Sequence, residues 1–168
     1  MPISIEIIDE AEGWSTLLER KAIIESAIFA SMTECEVGLT SKLEITILLC
    51  NDEAIRELNR NFRNIDKPTN VLSFPLPQPE DNNLPYMLGD IAISFETVMR
   101  EASDERKSLA AHTSHMAVHG FLHLLGFDHE SDDEAEEMES TEKRILARLG
   151  IADPYANSQI GEDDMTHS

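Results

Sequence analysis

The stretch His115-Met116-Ala117-Val118-His119-Gly120-Phe121-Leu122-His123-Leu124-Leu125-Gly126-Phe127-Asp128-His129 constrains this chain more than any other part of it. Five of the six histidines lie between positions 112 and 129, in an apolar run that reads as helix. Residues i and i+4 of a helix project from one face, about 6 Å apart along the axis, so His119 and His123 can converge on one ion. His115 stands about 12 Å of helical rise from His123, too far for both to reach an ion at bonds of about 2.1 Å. A third ligand therefore requires the chain to turn back. Gly126 permits the left-handed backbone of such a reversal, and His129 follows three residues later. Three protein ligands leave a position for water, the arrangement of a catalytic rather than a structural zinc; nickel and cobalt suit imidazoles as well. The plainer alternative is a set of histidines satisfied by ordinary hydrogen bonds. His112 and His115 read as surface or supporting groups, Asp128 or His115 as a candidate to orient a ligand from behind, and His167 as irrelevant.

The spacing His-x3-His-x2-Gly-x2-His is that of the metzincin proteases, in which a Glu directly after the first His activates the metal-bound water. Here that position is Gly120. A peptidase would lack its proton acceptor unless it recruited another, such as Glu130.

The rest of the chain supplies a small α+β frame. Residues 4–9 and 43–50 alternate as strands. Residues 14–32 have apolar residues near helical spacing and no Gly or Pro inside, predicting one amphipathic helix. A helix capped by Asn51 or Asp52 runs to about Phe62, followed by a polar connection over 63–70. Strands follow at 70–74 and 90–94, separated by a loop over 75–87 rich in Pro, Asn and Asp. From about Glu96 to Leu125 the pattern is helical with a break near Ser103-Asp104. Ser131-Asp132-Asp133-Glu134 is a capping box that opens a last helix ending at Gly150. The expected fold is a mixed sheet of about four strands against several helices, with a zincin-like histidine helix. Residues 1–150 are read as one metal-dependent hydrolase domain, and 151–168 as a polar, acidic, mobile tail.

Composition narrows the setting. No apolar run is long enough to span a bilayer and the start lacks a signal-peptide pattern, so a cytoplasmic protein with no membrane partner is expected. Cys35 and Cys50 are too few for a disulfide framework or a thiolate metal site; Cys50 reads as core. Thirteen Lys+Arg against 33 Asp+Glu give a net charge of −20. Residues 130–168 hold 12 acids and 3 bases, net −9. Such a surface repels nucleic acid at long range. Arg56, Arg60, Arg63 and Lys67 form a local basic cluster, but Asp52, Glu53, Glu57 and Asp66 accompany them.

Three separated blocks resemble the YbeY family of bacterial endoribonucleases and rRNA maturation factors. They are His119-Gly120-x-Leu122-His123-Leu124-x-Gly126-Phe127-Asp128-His129, the block from Leu58-Asn59 through Phe62-Arg63, Asp66 and Pro68-Thr69-Asn70-Val71-Leu72-Ser73-Phe74-Pro75, and Leu88-Gly89-Asp90-Ile91-Ala92-Ile93-Ser94. Glu130 to Glu139 and Asp153-Pro154-Tyr155 are also similar, and the likeness covers about residues 1–155. Phe127 and Phe62 stand where the family pattern has Tyr, and Asn70 where it has Asp. The resemblance implies a zinc-like ion on His119, His123 and His129, single-stranded RNA, in particular rRNA, as substrate, and a functional arginine at Arg63. From the residues alone, Arg63 near a helix end would satisfy the last carbonyls. On the family reading the metal activates water while Arg63 stabilises charge at phosphorus. Ribosomal subunits or proteins become candidate partners for the acidic surface. Two rivals remain: a peptidase or other metal hydrolase, and a non-enzymatic ribosome assembly factor whose metal serves only folding.

Overall fold

Alternating burial sets the sheet. In the strand Leu43–Cys50, residues Leu43, Ile45, Ile47 and Leu49 are buried while Glu44 is exposed, so one face must be covered by helices. The computed structural model describes residues 3–37, 43–77 and 86–155. Its elements are β1 (Ile3–Asp9), a 3-10 turn (Glu12–Thr16), α1 (Arg20–Glu34), β2 (Leu43–Cys50), α2 (Asp52–Arg63), β3 (Val71–Pro75), β4 (Tyr86–Ser94), α3 (Phe95–Asp104), α4 (Leu109–Leu124) and α5 (Asp132–Arg148). The strand order is β1-β2-β4-β3. β1, β2 and β4 are parallel, and β3 runs antiparallel to β4 at the edge. This is the small mixed sheet of an α+β fold that the pattern predicts.

The histidine helix α4 lies in the main core. Its Ala117, Val118, Phe121 and Leu122 pack with Ile45, Ile47, Ile91 and Ile93 of the sheet and with Ile24 and Ile28 of α1. Each such side chain fully withdrawn from water stabilises the fold by about 1.5–3 kcal/mol, so α4 is a rigid platform. α2 covers the other face, where Ile55 packs with Cys50, Leu72 and Ala92. Cys50 is core, as expected, and burial pushes its thiol up to about 12.

Three expectations differ in detail. The predicted helix over 14–32 is a 3-10 turn and then α1. The Trp14 indole N–H donates to the Cys50 carbonyl at 3.0 Å, which fixes Trp14 against the sheet, and Leu17 turns extended. The last strand begins at Tyr86 rather than Asp90; the loop expected over 75–87 lies in part outside the described residues. The helical break falls at Glu105–Ser108, where Arg106 adopts a positive φ of 58° and the Ser108 side chain caps α4.

The expected tail from 151 lies outside the described residues beyond Tyr155. Before that point Ile151 packs on the core, and the Tyr155 hydroxyl donates to Glu142 of α5 at 2.5 Å.

Candidate metal centre

The end of α4 is built by a hydrogen-bonded reversal. The Phe127 N–H donates to the Leu122 carbonyl at 3.0 Å and the Gly126 N–H to the His123 carbonyl at 3.1 Å. These are the two bonds of a Schellman motif, with Gly126 as its left-handed residue at φ 105°. Nothing lies within 4 Å of a Cβ added at Gly126; glycine is required there by backbone conformation rather than by space. The turn continues through Asp128, whose carboxylate accepts from the His129 N–H at 2.7 Å. His129 is thereby returned to the face of α4.

One nitrogen each of His119, His123 and His129 then lies within 4.8 Å of the others. The Nε2 atoms of His119 and His123 are 3.2 Å apart. The outer nitrogens decide what that contact means. His119 Nδ1 faces the Glu142 carboxylate at 2.6 Å, and His123 Nδ1 faces the Phe127 carbonyl at 2.9 Å. Both partners are acceptors, so each Nδ1 carries the proton, and in the neutral rings each Nε2 presents a lone pair. Two lone pairs facing each other repel unless a cation lies between them. Burial first, then the neighbouring His119 and His129, lower the His123 pKa, which keeps that ring in the neutral, ligating form. The donor set fits a divalent ion that prefers imidazole.

Glu142 was not singled out by the sequence. It lies 23 residues from His119, on α5, and its side chain is fully buried. Its Oε1 is 3.0 Å from His115 Nε2 and its Oε2 2.6 Å from His119 Nδ1. Burial pushes this carboxyl up, but the hydrogen bonds from His115 and His119 outweigh it and hold the group well below the usual carboxylate range. Burial and the facing Glu142 push the Tyr155 phenol up, so it stays protonated and donates. A carboxylate behind a ligating imidazole fixes its tautomer and raises its basicity. The only hint in sequence was a lone acid at a buried position of an otherwise acidic helix. Neither residue expected to orient a ligand from behind does so directly: Asp128 shapes the turn, and His115 shares Glu142 with His119. His112, expected at the surface or in support, is buried and faces Glu101 at 2.9 Å.

Arg63 ends α2, and the chain leaves through Asn64 at φ 59°. The connection is tied back by Asn59 Nδ2, which donates to the Lys67 carbonyl at 2.9 Å, and by the two-pronged Arg56–Asp66 contact at 2.8 and 3.2 Å. Arg63 does not satisfy the carbonyls of its own helix. Its Nη2 donates to the Ser73 carbonyl of β3 at 2.6 Å, and its guanidinium lies 5.6 Å from the Phe74 ring centroid. Asn70 accepts from Ser94 N–H, and Leu76 N–H donates to Leu88, so even residues of β3 bond to β4. The alternation of an antiparallel pair turns the backbone groups of Val71 and Ser73 to the open edge.

This edge, Arg63 and the three histidines line one cleft of about 540 Å³, together with Thr69, Asn70, Asp128 and Glu130. A larger hollow on the outer face of β1 and β2 holds none of the three histidines. Within the basic cluster, Asp66 pairs with Arg56, and Asp52 turns inward to accept from Ser94 and Thr97 at 2.6 Å each. Among the described residues no carboxylate pairs with Arg63. The cleft thus presents an open cation beside the imidazoles despite the net charge of −20.

Gly120 packs α4 against the sheet. A Cβ there would stand 2.8 Å from Ile91 Cγ2 and 3.2 Å from Ser73 Oγ, and the Ser73 hydroxyl donates to the Gly120 carbonyl at 2.9 Å. The glutamate of a metzincin has no room at this position, and the peptidase reading is not favoured.

Comparison with known proteins agrees. A family model described as Endoribonuclease YbeY matches residues 9–150. Among similar proteins named Endoribonuclease YbeY, that of Nitrobacter winogradskyi is 54% identical over 157 residues, covering 90% of this chain and 81% of the relative. That of a Bradyrhizobium species (strain BTAi1) is 51% identical over 160 residues, covering 92% and 93%. Among solved structures, the solution structure of TM1509 from Thermotoga maritima superposes with a TM-score of 0.52 at 25% identity, covering 87% of this chain and 91% of that one.

Proposed function

This chain belongs to the YbeY endoribonuclease family, and from that membership we propose that it is a metal-dependent hydrolase cutting single-stranded RNA internally, with rRNA as its substrate during ribosome maturation and quality control. The observation that carries the reading is the shared cleft: three imidazole nitrogens within 4.8 Å of one another, and Arg63 among the residues that line the same cleft. His119 and His123 would hold the ion through Nε2, and His129 would complete the set. Zinc is the ion this site suits, with nickel or cobalt able to replace it. When bound, the ion supplies an activated water and a Lewis acid at neutral pH.

The chain's own groups do the rest. Glu142 and the Phe127 carbonyl keep both rings in the tautomer that points Nε2 into the cleft. Arg63 spends one N–H on Ser73 and retains others for a phosphate, which a guanidinium grips in a bidentate way. It neutralises charge as that charge grows at phosphorus. The open edge of β3 runs beside both and gives an extended strand a straight wall. The reaction belongs in the cytoplasm, on ribosomal particles. The exposed acids Asp132, Asp133, Glu134, Glu136 and Glu137 of α5 suit a basic ribosomal-protein partner.

The test is cleavage of a defined single-stranded RNA by purified protein, with and without chelator, beside casein. A matched His119→Ala preparation controls for contaminating nuclease. Chelator-sensitive RNA cleavage, absent from His119→Ala and with casein intact, is expected. Replacing Arg63 by Ala should lower the rate by about 10²–10³ with metal content unchanged. A wild-type rate in metal-verified Arg63→Ala protein would overturn the role of the arginine. If chelator abolished folding but RNA was never cut, the metal would be structural and the enzyme reading would fail.

A further inference from the structure

Phe62 stands one residue before Arg63 and is 67% exposed. Water does not favour an aromatic ring left in that position, and α2 gains no packing from most of its surface. The ring is not randomly placed. It meets the Phe74 ring edge-on, with centroids 5.4 Å apart and planes at 62°. The other side of this arrangement is the cleft arginine, whose guanidinium lies 5.6 Å from the same Phe74 ring. Phe74 is half-buried in the small core beneath α2, so it holds both neighbours in place. The result is an exposed ring held beside the cation that lines the same cleft as the three histidines.

We propose that Phe62, seated on Phe74, is a stacking platform for an unpaired base of the RNA strand, next to the nucleotide whose phosphate Arg63 holds. The assignment rests on the endoribonuclease reading above, and it adds a binding subsite outside the cleft. Proteins that bind single strands without sequence preference combine cations along the backbone with aromatic faces for the bases. Here Arg63 and Arg60 supply charge from the end of the same helix, and Phe62 lies between them in sequence. A base stacks on any flat π-face, so the subsite demands an unpaired nucleotide without demanding a particular one. A duplex, whose bases are stacked on each other, cannot offer it. That gives the enzyme a physical reason to select single strands.

The test is the affinity of metal-free protein for a labelled single-stranded oligoribonucleotide, read by fluorescence anisotropy at fixed low salt. Phe62→Ala is expected to weaken binding roughly tenfold, Phe62→Trp to restore it, and Phe62→Leu, apolar but without a π-face, to leave it weak. An abasic residue is then moved along the strand. At one position it should cost wild-type protein about as much as Phe62→Ala does, and in Phe62→Ala protein the same lesion should cost nothing further, the coupling expected of a direct contact. Equal affinity of wild type and Phe62→Ala would overturn the proposal, as would the absence of any coupled abasic position. A fall in the solution mass of Phe62→Ala protein would also overturn it, since the ring would then serve contact between two copies of the chain. Wild-type protein that neither binds nor cuts RNA would refute the endoribonuclease reading itself, a separate outcome.

Discussion

Replacing Glu142 by Gln keeps the shape of the side chain and removes its charge, which isolates what the buried carboxylate does. Three groups converge on it: His119 Nδ1 at 2.6 Å, His115 Nε2 at 3.0 Å and the Tyr155 hydroxyl at 2.5 Å. An amide has an oxygen on one side and an NH2 on the other. With NH2 towards His119, two donors would meet, and the proton of His119 would have to move to Nε2, where it blocks a ligand position. With NH2 towards His115 it meets the Tyr155 hydroxyl as well, but that hydroxyl can rotate to accept, and His115 Nδ1 has no partner among the described residues, so its proton can shift there. The amide should therefore settle with its oxygen on His119, preserving the tautomer but losing the negative charge that makes the ring a stronger base. Removing such a partner lowers metal affinity about 10–100-fold, equivalent to roughly 1.4–2.7 kcal/mol. Glu142→Gln should fall near the lower figure and Glu142→Ala near the upper. The alanine should also lower the stability of metal-free protein by about 1–3 kcal/mol for each buried donor it leaves unpaired. Competition titration against a chromophoric chelator gives the first quantity and urea denaturation the second. Metal affinity of Glu142→Gln indistinguishable from wild type would refute this account of His119.

Gly126→Ala tests the reversal after α4: with nothing near the added methyl, the cost is backbone strain alone, about 1–2 kcal/mol. Urea denaturation of metal-free protein should show that loss unless the turn relaxes, in which case metal affinity falls instead; stability and metal affinity both unchanged would contradict the Schellman reading, and Gly126→Asn should lose less than alanine. Glu34 accepts from Arg148 at 2.7 Å and Arg144 at 2.9 Å, tying α1 to α5, and these two arginines, Arg148 first, hold its carboxyl below the ordinary value. Its contribution is complete above the ordinary carboxylate range and is lost as pH falls through the lowered value, so Glu34→Gln should flatten the acid limb of stability measured by denaturation between roughly pH 6 and 3; an unchanged limb would count against it. Reversing the charges of Asp132, Asp133, Glu134, Glu136 and Glu137 should weaken co-sedimentation with ribosomal subunits, and indifference to the change would exclude that face as the contact.

The convergence of His119, His123 and His129 was legible because its geometry is local. Spacing of four along a helix, a glycine that allows reversal and a histidine three residues on all act within eleven residues, and backbone rules connect them. The strands β2 and β3 were legible for the same reason, through alternation and a flanking proline run. Glu142 was not, because its meaning arises only when α5 packs against α4 and brings an acid against two imidazoles. The division of 14–32 was hidden in the same way: helical spacing continues through Leu17 and Leu18, and only the reach of Trp14 to the Cys50 carbonyl breaks it. Arg63 was visible as a cation near a helix end, yet its partner, a carbonyl on the edge strand, depends on how β3 pairs with β4. The charge objection to RNA also needed the fold, since it is the inward turn of Asp52 and the Arg56–Asp66 pair that leave Arg63 open in the cleft.

The central claim is one ion shared by rings that two helical positions and a turn bring together. A crystal of protein loaded with zinc, with anomalous diffraction collected across the zinc edge, tests it most directly. One peak is predicted, about 2.0–2.1 Å from Nε2 of His119, Nε2 of His123 and a ring nitrogen of His129, with a fourth position open to solvent. Zinc found elsewhere, or bound with the His129 ring turned away from it, would contradict the account.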